Sequence, residues 1–223
     1  MYKIGKNAGK KWMAAVMAAL VTVAAAAGCG KMDKAGAEER KERNSITVAA
    51  SSDTGSMDPA GSIALTYLTY SVSALDELLT FDADGEIDYR AAESYEVNED
   101  STVWTFHLRE EAVWSDGTPV TSADFLNTMT RALDPKSGSG YANYLFPIRN
   151  AEAIYNGEME SGELGVETPD DYTLIFYLEK PCVYFLDLLR LPVYTPSCST
   201  YAKETGSGWD TDPKTSVSNG PFY

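Results

Sequence analysis

The 223-residue chain has a single histidine, His107, and only three cysteines, Cys29, Cys182 and Cys198, with no CxxC pair among them. A zinc centre draws on clustered thiolates and imidazoles, so the chain is short of its ligands. Neither a GxSxG elbow nor a P-loop occurs. His107 falls mid-strand on the face opposite Trp104, Phe106 and Leu108, which reads as a strand-surface residue rather than a base. The carboxylate pairs Glu110-Glu111 and Asp170-Asp171 are sequence neighbours at a strand end and a turn, not a converging acid/base couple. A glycosidase is therefore the leading enzyme alternative with little behind it, and neither catalysis, a metal nor a cofactor is expected. Basic residues are also scarce: 18 Lys and Arg stand against 33 Asp and Glu, a net charge of −15. All four charges in the first 28 residues are lysines, which leaves 14 − 33 = −19 for the remainder. So acidic a surface disfavours nucleic acid and anionic lipid as partners.

No apolar run reaches the roughly 20 residues of a bilayer-spanning helix. The longest, residues 12–27, is apolar apart from Thr22 and follows a positive segment of Lys3, Lys6, Lys10 and Lys11. That order is a signal peptide. Ala27 and Gly28 before Cys29 resemble a bacterial lipobox, with Ala26 where that pattern prefers Leu. The resemblance implies a diacylated Cys29, and two acyl chains make a stable membrane anchor; the other reading is a secreted protein with an incidental cysteine. Residues 30–44 (GKMDKAGAEERKERN) are charged and lack aromatics, which predicts a flexible tether.

The most informative stretch is residues 103–125, VWTFHLREEAVWSDGTPVTSADF. Trp104, Phe106 and Leu108 alternate with Val103, Thr105, His107 and Arg109, the period of a strand that buries one face. Asp116-Gly117 is a turn dipeptide, and Pro119 sets an extended approach to Thr121. Thr121 and Asp124 have capping-box spacing and open a helix through about Leu133.

These residues resemble the extracytoplasmic solute-binding proteins of the peptide/nickel ABC transporter family, the oligopeptide-binding proteins in particular. Further matches run along residues 46–223. They include Ser56-Met57-Asp58-Pro59-Ala60, the ribbon around Ala83-Asp84-Gly85, Ala91 to Val97, Tyr141 to Phe146, residues 178–198 and the terminal Asn219-Gly220-Pro221. The resemblance implies an α/β chain with the class C, type II periplasmic-binding-protein fold, truncated: a first lobe plus the extra domain of peptide binders, with the second lobe missing. On that pattern 1–28 is the lipoprotein signal peptide, 29–45 the tether, 46–72 the start of the first lobe, 73–175 the extra domain and 176–223 the return to the first lobe.

The implied function is that of a substrate-binding lipoprotein of an ABC importer. It would capture extracellular oligopeptides between lobes, gripping the backbone as an added strand, and deliver them to the permease and ATPase complex. The implied location is the cell envelope outside the cytoplasm, lipid-anchored to the membrane. Ligand contacts would come from Met57, Asp58 and Pro59, from Tyr141 and Tyr144, and from Asn219 and Gly220. With the second lobe missing, residues 29–223 alone should bind peptide poorly. Alternatives in the same fold are binders of a dipeptide, a nickel complex or haem, and a different class is a surface signalling or adhesion lipoprotein.

The remaining elements follow from pattern. Residues 45–50 are β-prone. Leu65, Leu68, Val72, Leu75 and Leu79 make one helical face, with Tyr67 and Tyr70 off it. The Asp84-Gly85 pair predicts a hairpin. Ile148 to Asn156 reads as a short helix stopped by Gly157, and Gly162 to Asp171 as loop. Residues 172–178, nearly all apolar, predict a strand buried on both faces. A helix over 182–189 follows Pro181, and a further helical turn covers 199–204. Cys182 and Cys198 lie on neighbouring segments and are either bridged, which would contribute about 3 kcal/mol, or two buried free thiols.

Overall fold

The computed structural model describes residues 56–61, 74–205, 210, 212 and 215–220. The expectations for the signal peptide, Cys29, the tether, the β-prone residues 45–50, and the helical positions Leu65, Tyr67, Leu68, Tyr70 and Val72 lie outside these residues. Two antiparallel sheets organise the described part. Strands β1 (Leu79–Phe81) and β2 (Ile87–Tyr89) form a hairpin, and β3 (Ala92–Val97), β4 (Val103–Leu108), β5 (Val166–Asp170) and β6 (Thr173–Tyr177) form a sheet in the order β3-β4-β6-β5. The helices are α1 (Ser122–Ala132), α2 (Ala151–Tyr155), α3 (Phe185–Leu188) and α4 (Ser199–Thr205), with 3-10 turns at Ala142–Leu145, Ser161–Glu163 and Pro192–Tyr194.

The alternation in β4 becomes burial. Trp104, Phe106 and Leu108 are buried, while Val103, Thr105 and His107 are half-buried on the other face. Strand β4 sits centrally, paired with β3 through Tyr95 opposite Phe106 and with β6 through Phe106 opposite Leu174. Its buried face meets rings brought from far along the chain. Trp104 lies 5.5 Å from Phe185 of α3, Phe106 packs edge-on against Phe176 at 5.8 Å, and Phe176 and Phe185 meet at 5.2 Å with Tyr194 beside both. Each fully buried large side chain contributes roughly 1.5–3 kcal/mol by transfer, and each such ring pair about 0.5–1.5 kcal/mol more.

Helix α1 begins as its sequence dictates. The Asp124 carboxylate accepts the Thr121 N–H at 2.9 Å, and the same oxygen takes the buried Trp114 indole N–H at 3.1 Å. Its second oxygen accepts Ser199 N–H at 2.7 Å at the start of α4. A residue read as a helix cap therefore ties the strand-turn-helix unit to a segment 75 residues later. Gly85, Gly117 and Gly157 all adopt the positive φ (85°, 87° and 74°) that their turn positions require.

Several expectations are corrected. The helical face through Leu75 and Leu79 does not continue: the helix ends at Ala74, and Leu79 stands in β1. The Ala74 carbonyl and Asp76 N–H are instead bonded to Gly220 and Asn219. Residues 162–171 are not simply loop, because a 3-10 turn and β5 occupy most of them. Strand β5 contains Pro169 and a register shift between Glu167 and Asp170, which hid its alternation; as an edge strand it tolerates both. Strand β6 buries one face, not two: Leu174 and Phe176 are inaccessible, while Thr173, Ile175 and Tyr177 are half-buried. Helix α2 starts at Ala151 rather than Ile148, since Ile148 is taken by a bridge to Leu178. Helix α3 starts at Phe185 rather than Cys182.

Cys182 and Cys198 are buried free thiols, the second of the two readings above. Cys198 lies at the head of α4, near the N–H groups of Thr200 and Tyr201, and burial pushes its thiol up. The lobe boundary expected between Ile175 and Phe176 falls inside β6, which pairs along its whole length with β4.

Candidate functional site

Two carboxylates and one guanidinium fix the loop that carries Met57, Asp58 and Pro59. Both oxygens of Asp58 face Arg131 in the last turn of α1: Nη1 donates to Oδ1 at 3.0 Å and Nη2 to Oδ2. The Asp58 side chain is 10% exposed and that of Arg131 25%. The planar guanidinium matches a carboxylate in two parallel bonds, which is why such a pair sets orientation as well as charge. Asp58 Oδ1 also accepts the Ala60 N–H at 3.1 Å, closing the turn.

From the other side, one oxygen of buried Asp210 accepts the Ser56 hydroxyl at 2.7 Å, Met57 N–H at 2.5 Å and Asp58 N–H at 3.0 Å. Between the loop and the end of α1 lies a cavity of about 340 Å³ lined by Ser56, Asp58, Arg131, Asp134, Ser137 and Asp210, among others. Asp58 and Pro59 are buried within this frame, and Met57 is the half-buried member of the trio.

Tyr141 and Tyr144 sit at a 3-10 turn after the Ser/Gly loop, their rings 5.8 Å apart and inclined by 34°. Tyr141 is half-buried, and Tyr144 is 41% exposed, a large aromatic side chain open to solvent. The turn is held from below: the buried Tyr194 hydroxyl donates to the Tyr144 carbonyl at 3.0 Å. Burial pushes that hydroxyl's pKa far up, which keeps it a donor.

Asn219 and Gly220 act on backbone. The Asn219 side chain accepts Asp76 N–H at 3.0 Å and donates to the Asp76 carbonyl at 3.1 Å, standing in for a paired strand residue. Gly220 N–H reaches the Ala74 carbonyl at 3.0 Å. A Cβ on Gly220 would fall 2.8 Å from the Ala74 carbonyl carbon, so only glycine fits.

The seven expected site residues thus fall into three groups with separate anchors: α1 with Asp210, the Tyr194 turn, and the 74–76 segment. Arg131 and Asp210 are the residues that sequence reasoning missed. Arg131 carries the signature of a basic residue in a last helical turn, complementing the helix dipole, and nothing local marks its partner 73 positions away. His107 stands on the half-buried face of β4, outside all three groups.

Similarity to known proteins converges on one family. Residues 86–223 match the family model described as "Bacterial extracellular solute-binding proteins, family 5 Middle". Among curated proteins, the periplasmic oligopeptide-binding protein OppA of Escherichia coli (strain K12) is 42% identical over 147 residues, which cover 65% of this chain and 27% of the relative. Among solved structures, the substrate-binding domain of an oligopeptide ABC transporter from Bacillus anthracis str. Ames superposes with a TM-score of 0.74 at 37% identity. That match covers 78% of this chain and 34% of that one. Listeria monocytogenes OppA bound to peptide matches with a TM-score of 0.72 at 31% identity, over 77% of this chain and 34% of its own. The chain thus spans about a quarter of the length of that curated relative and about a third of each of these solved chains. With the strand-turn-helix unit in place and the family model running over more than half of its length, the chain belongs to the family 5 bacterial extracellular solute-binding proteins.

Proposed function

We propose that the chain serves an ABC importer as a receptor for extracellular oligopeptides, which it passes to the permease and ATPase. A diacylated Cys29 holds it to the outer side of the membrane, after removal of residues 1–28 and with 29–45 as tether. In this reading 46–72 opens the first lobe, the extra domain begins at 73 and takes in the whole of β6 rather than ending at 175, and the chain beyond it returns toward the first lobe. The observation that carries it is the superposition of about three quarters of the chain on the peptide-bound Listeria protein.

The site geometry supports a division of labour. Met57, Tyr141 and Tyr144 contact ligand, because they retain accessible surface. Asp58 and Pro59, and Asn219 with Gly220, hold the loops that present those side chains, because their polar groups are already engaged or buried. Aromatic rings with an exposed face suit an extended peptide of varied sequence, since they add apolar contact without demanding one hydrogen-bond pattern. Disruption of the gene tests the reading. Uptake of labelled tri- to pentapeptides should fall, while nickel and haem uptake stays unchanged; undiminished peptide uptake overturns it. Restoring the gene with Tyr144→Ala should raise the half-saturating peptide concentration.

A further inference from the structure

A second cavity, of about 430 Å³, opens between the 75–77 segment, the β1–β2 hairpin and the end of α3. It shares no lining residue with the cavity beside Arg131. Of its charged lining residues Asp76 and Glu77 are half-buried, as is Thr80, whereas Arg90, Arg190 and Asp187 are exposed and so stand nearer its mouth. Among the described residues, the carboxylates of Asp76, Glu77 and Asp187 and the Arg190 guanidinium form no salt bridge and no side-chain hydrogen bond with one another. Arg190 rests over the Phe81 ring at 5.7 Å, and Arg90 pairs with Asp88 outside the lining.

Half-buried carboxylates to which the described residues give no side-chain donor are costly. Desolvation raises the pKa of Glu77 to about 7, even with Arg190 and Arg90 lowering it. A donor-rich cation entering the cavity would satisfy Asp76 and Glu77, and the guanidinium at the mouth offers two parallel bonds to a planar anion. The volume is that of a small-molecule site.

We propose that this cleft is an accessory binding site for a free α-amino acid, taken ammonium-first, with Asp76, Glu77 and Thr80 receiving the ammonium and Arg190 the carboxylate. A simple cation would leave Arg190 without a carboxylate, since Arg90 already has Asp88, and a simple anion would be repelled by Asp76 and Glu77. Both charges of the ligand are therefore required.

Calorimetric titration of the full chain with L-alanine, ethylamine and propionate tests this without any substitution. L-Alanine should bind saturably, with ethylamine and propionate each at least about tenfold weaker, the loss of one charge-assisted interaction. Glu77→Gln and Arg190→Gln should each weaken L-alanine by a similar factor. Absence of saturable L-alanine binding, or equal binding of the three probes, overturns the proposal. Peptide uptake is read separately, so failure here leaves the importer reading standing and the reverse also holds.

Discussion

Replacing Arg131 by methionine would leave the buried Asp58 carboxyl group facing an apolar side chain. Breaking a fully buried ion pair from one side costs roughly 3–5 kcal/mol, because the remaining charge keeps its desolvation penalty without its partner. Arg131 is 25% exposed and Asp58 10%, so water reaches the pair and the cost should fall to about 2–3 kcal/mol. Asp58→Asn keeps the shape and can still accept the Ala60 N–H. It strands a guanidinium that solvent partly reaches, so about 1–2 kcal/mol is expected. In the double variant neither charge is left over, and the two losses should overlap by about 1–3 kcal/mol. Urea unfolding of the four proteins measures this, and the Arg131→Met midpoint should drop by roughly 1–2 M. Strictly additive losses, or single variants within about 0.5 kcal/mol of the parent, would refute the assignment of this pair as the anchor of the Met57 loop.

Glu77 gives a pH prediction. Burial holds its folded pKa near 7 against an ordinary 4.5, so the folded chain keeps a proton that the unfolded chain has released. The associated stability is complete below pH 4.5 and is lost as pH rises to about 7, by at most about 3 kcal/mol before solvent screening. Urea midpoints across that window should fall with pH, and less steeply in Glu77→Gln. Asp76, also raised by burial, adds a loss of the same sign that remains in the variant. Gly220→Ala should displace the 74–76 segment and cost about 1–3 kcal/mol in thermal or urea unfolding, since its Cβ meets backbone rather than a movable side chain. Tyr194→Phe removes the donor to the Tyr144 carbonyl, and about 1 kcal/mol of lost stability should accompany faster amide exchange at the 142–145 turn.

What was legible in the sequence was mostly local. The alternation of Trp104, Phe106 and Leu108, the Asp84-Gly85 and Asp116-Gly117 turns and the Thr121–Asp124 cap are each decided within a few residues, and each is present. Strand β5 was not legible, because an edge strand with Pro169 and a bulge carries no period of two. The end of the helix before Leu75 was hidden for a different reason. Leu75 and Leu79 fit a helical stripe, and only the distant Asn219 and Gly220 claim the backbone there. The site divides along the same line. Tyr141 and Tyr144 could be nominated from their place after a Ser/Gly loop, but the engagement of Asp58 depends on Arg131 and cannot be read from the neighbours of Asp58.

The Asn219 clasp bears on the order in which this chain can fold. Strands β3 and β4 are joined by a short turn, and their pairing can begin as soon as both have been made. Asn219 and Asp76 are 143 residues apart, and Ser56 and Asp210 are 154. Closing loops of that span carries a large entropic cost and depends on long-range encounters, so these bonds belong to the late steps of folding. At ordinary rates of translation, position 219 is added roughly 7–30 s after position 76. Through that interval the Ala74 carbonyl and the Asp76 peptide group lack their partners, and the structure cannot close around them however fast the central sheet forms. Whatever order the rest is made in, the Asp76 and Ser56 clasps cannot close until residues 210–219 arrive, so the central sheet forms first and the frame around it last.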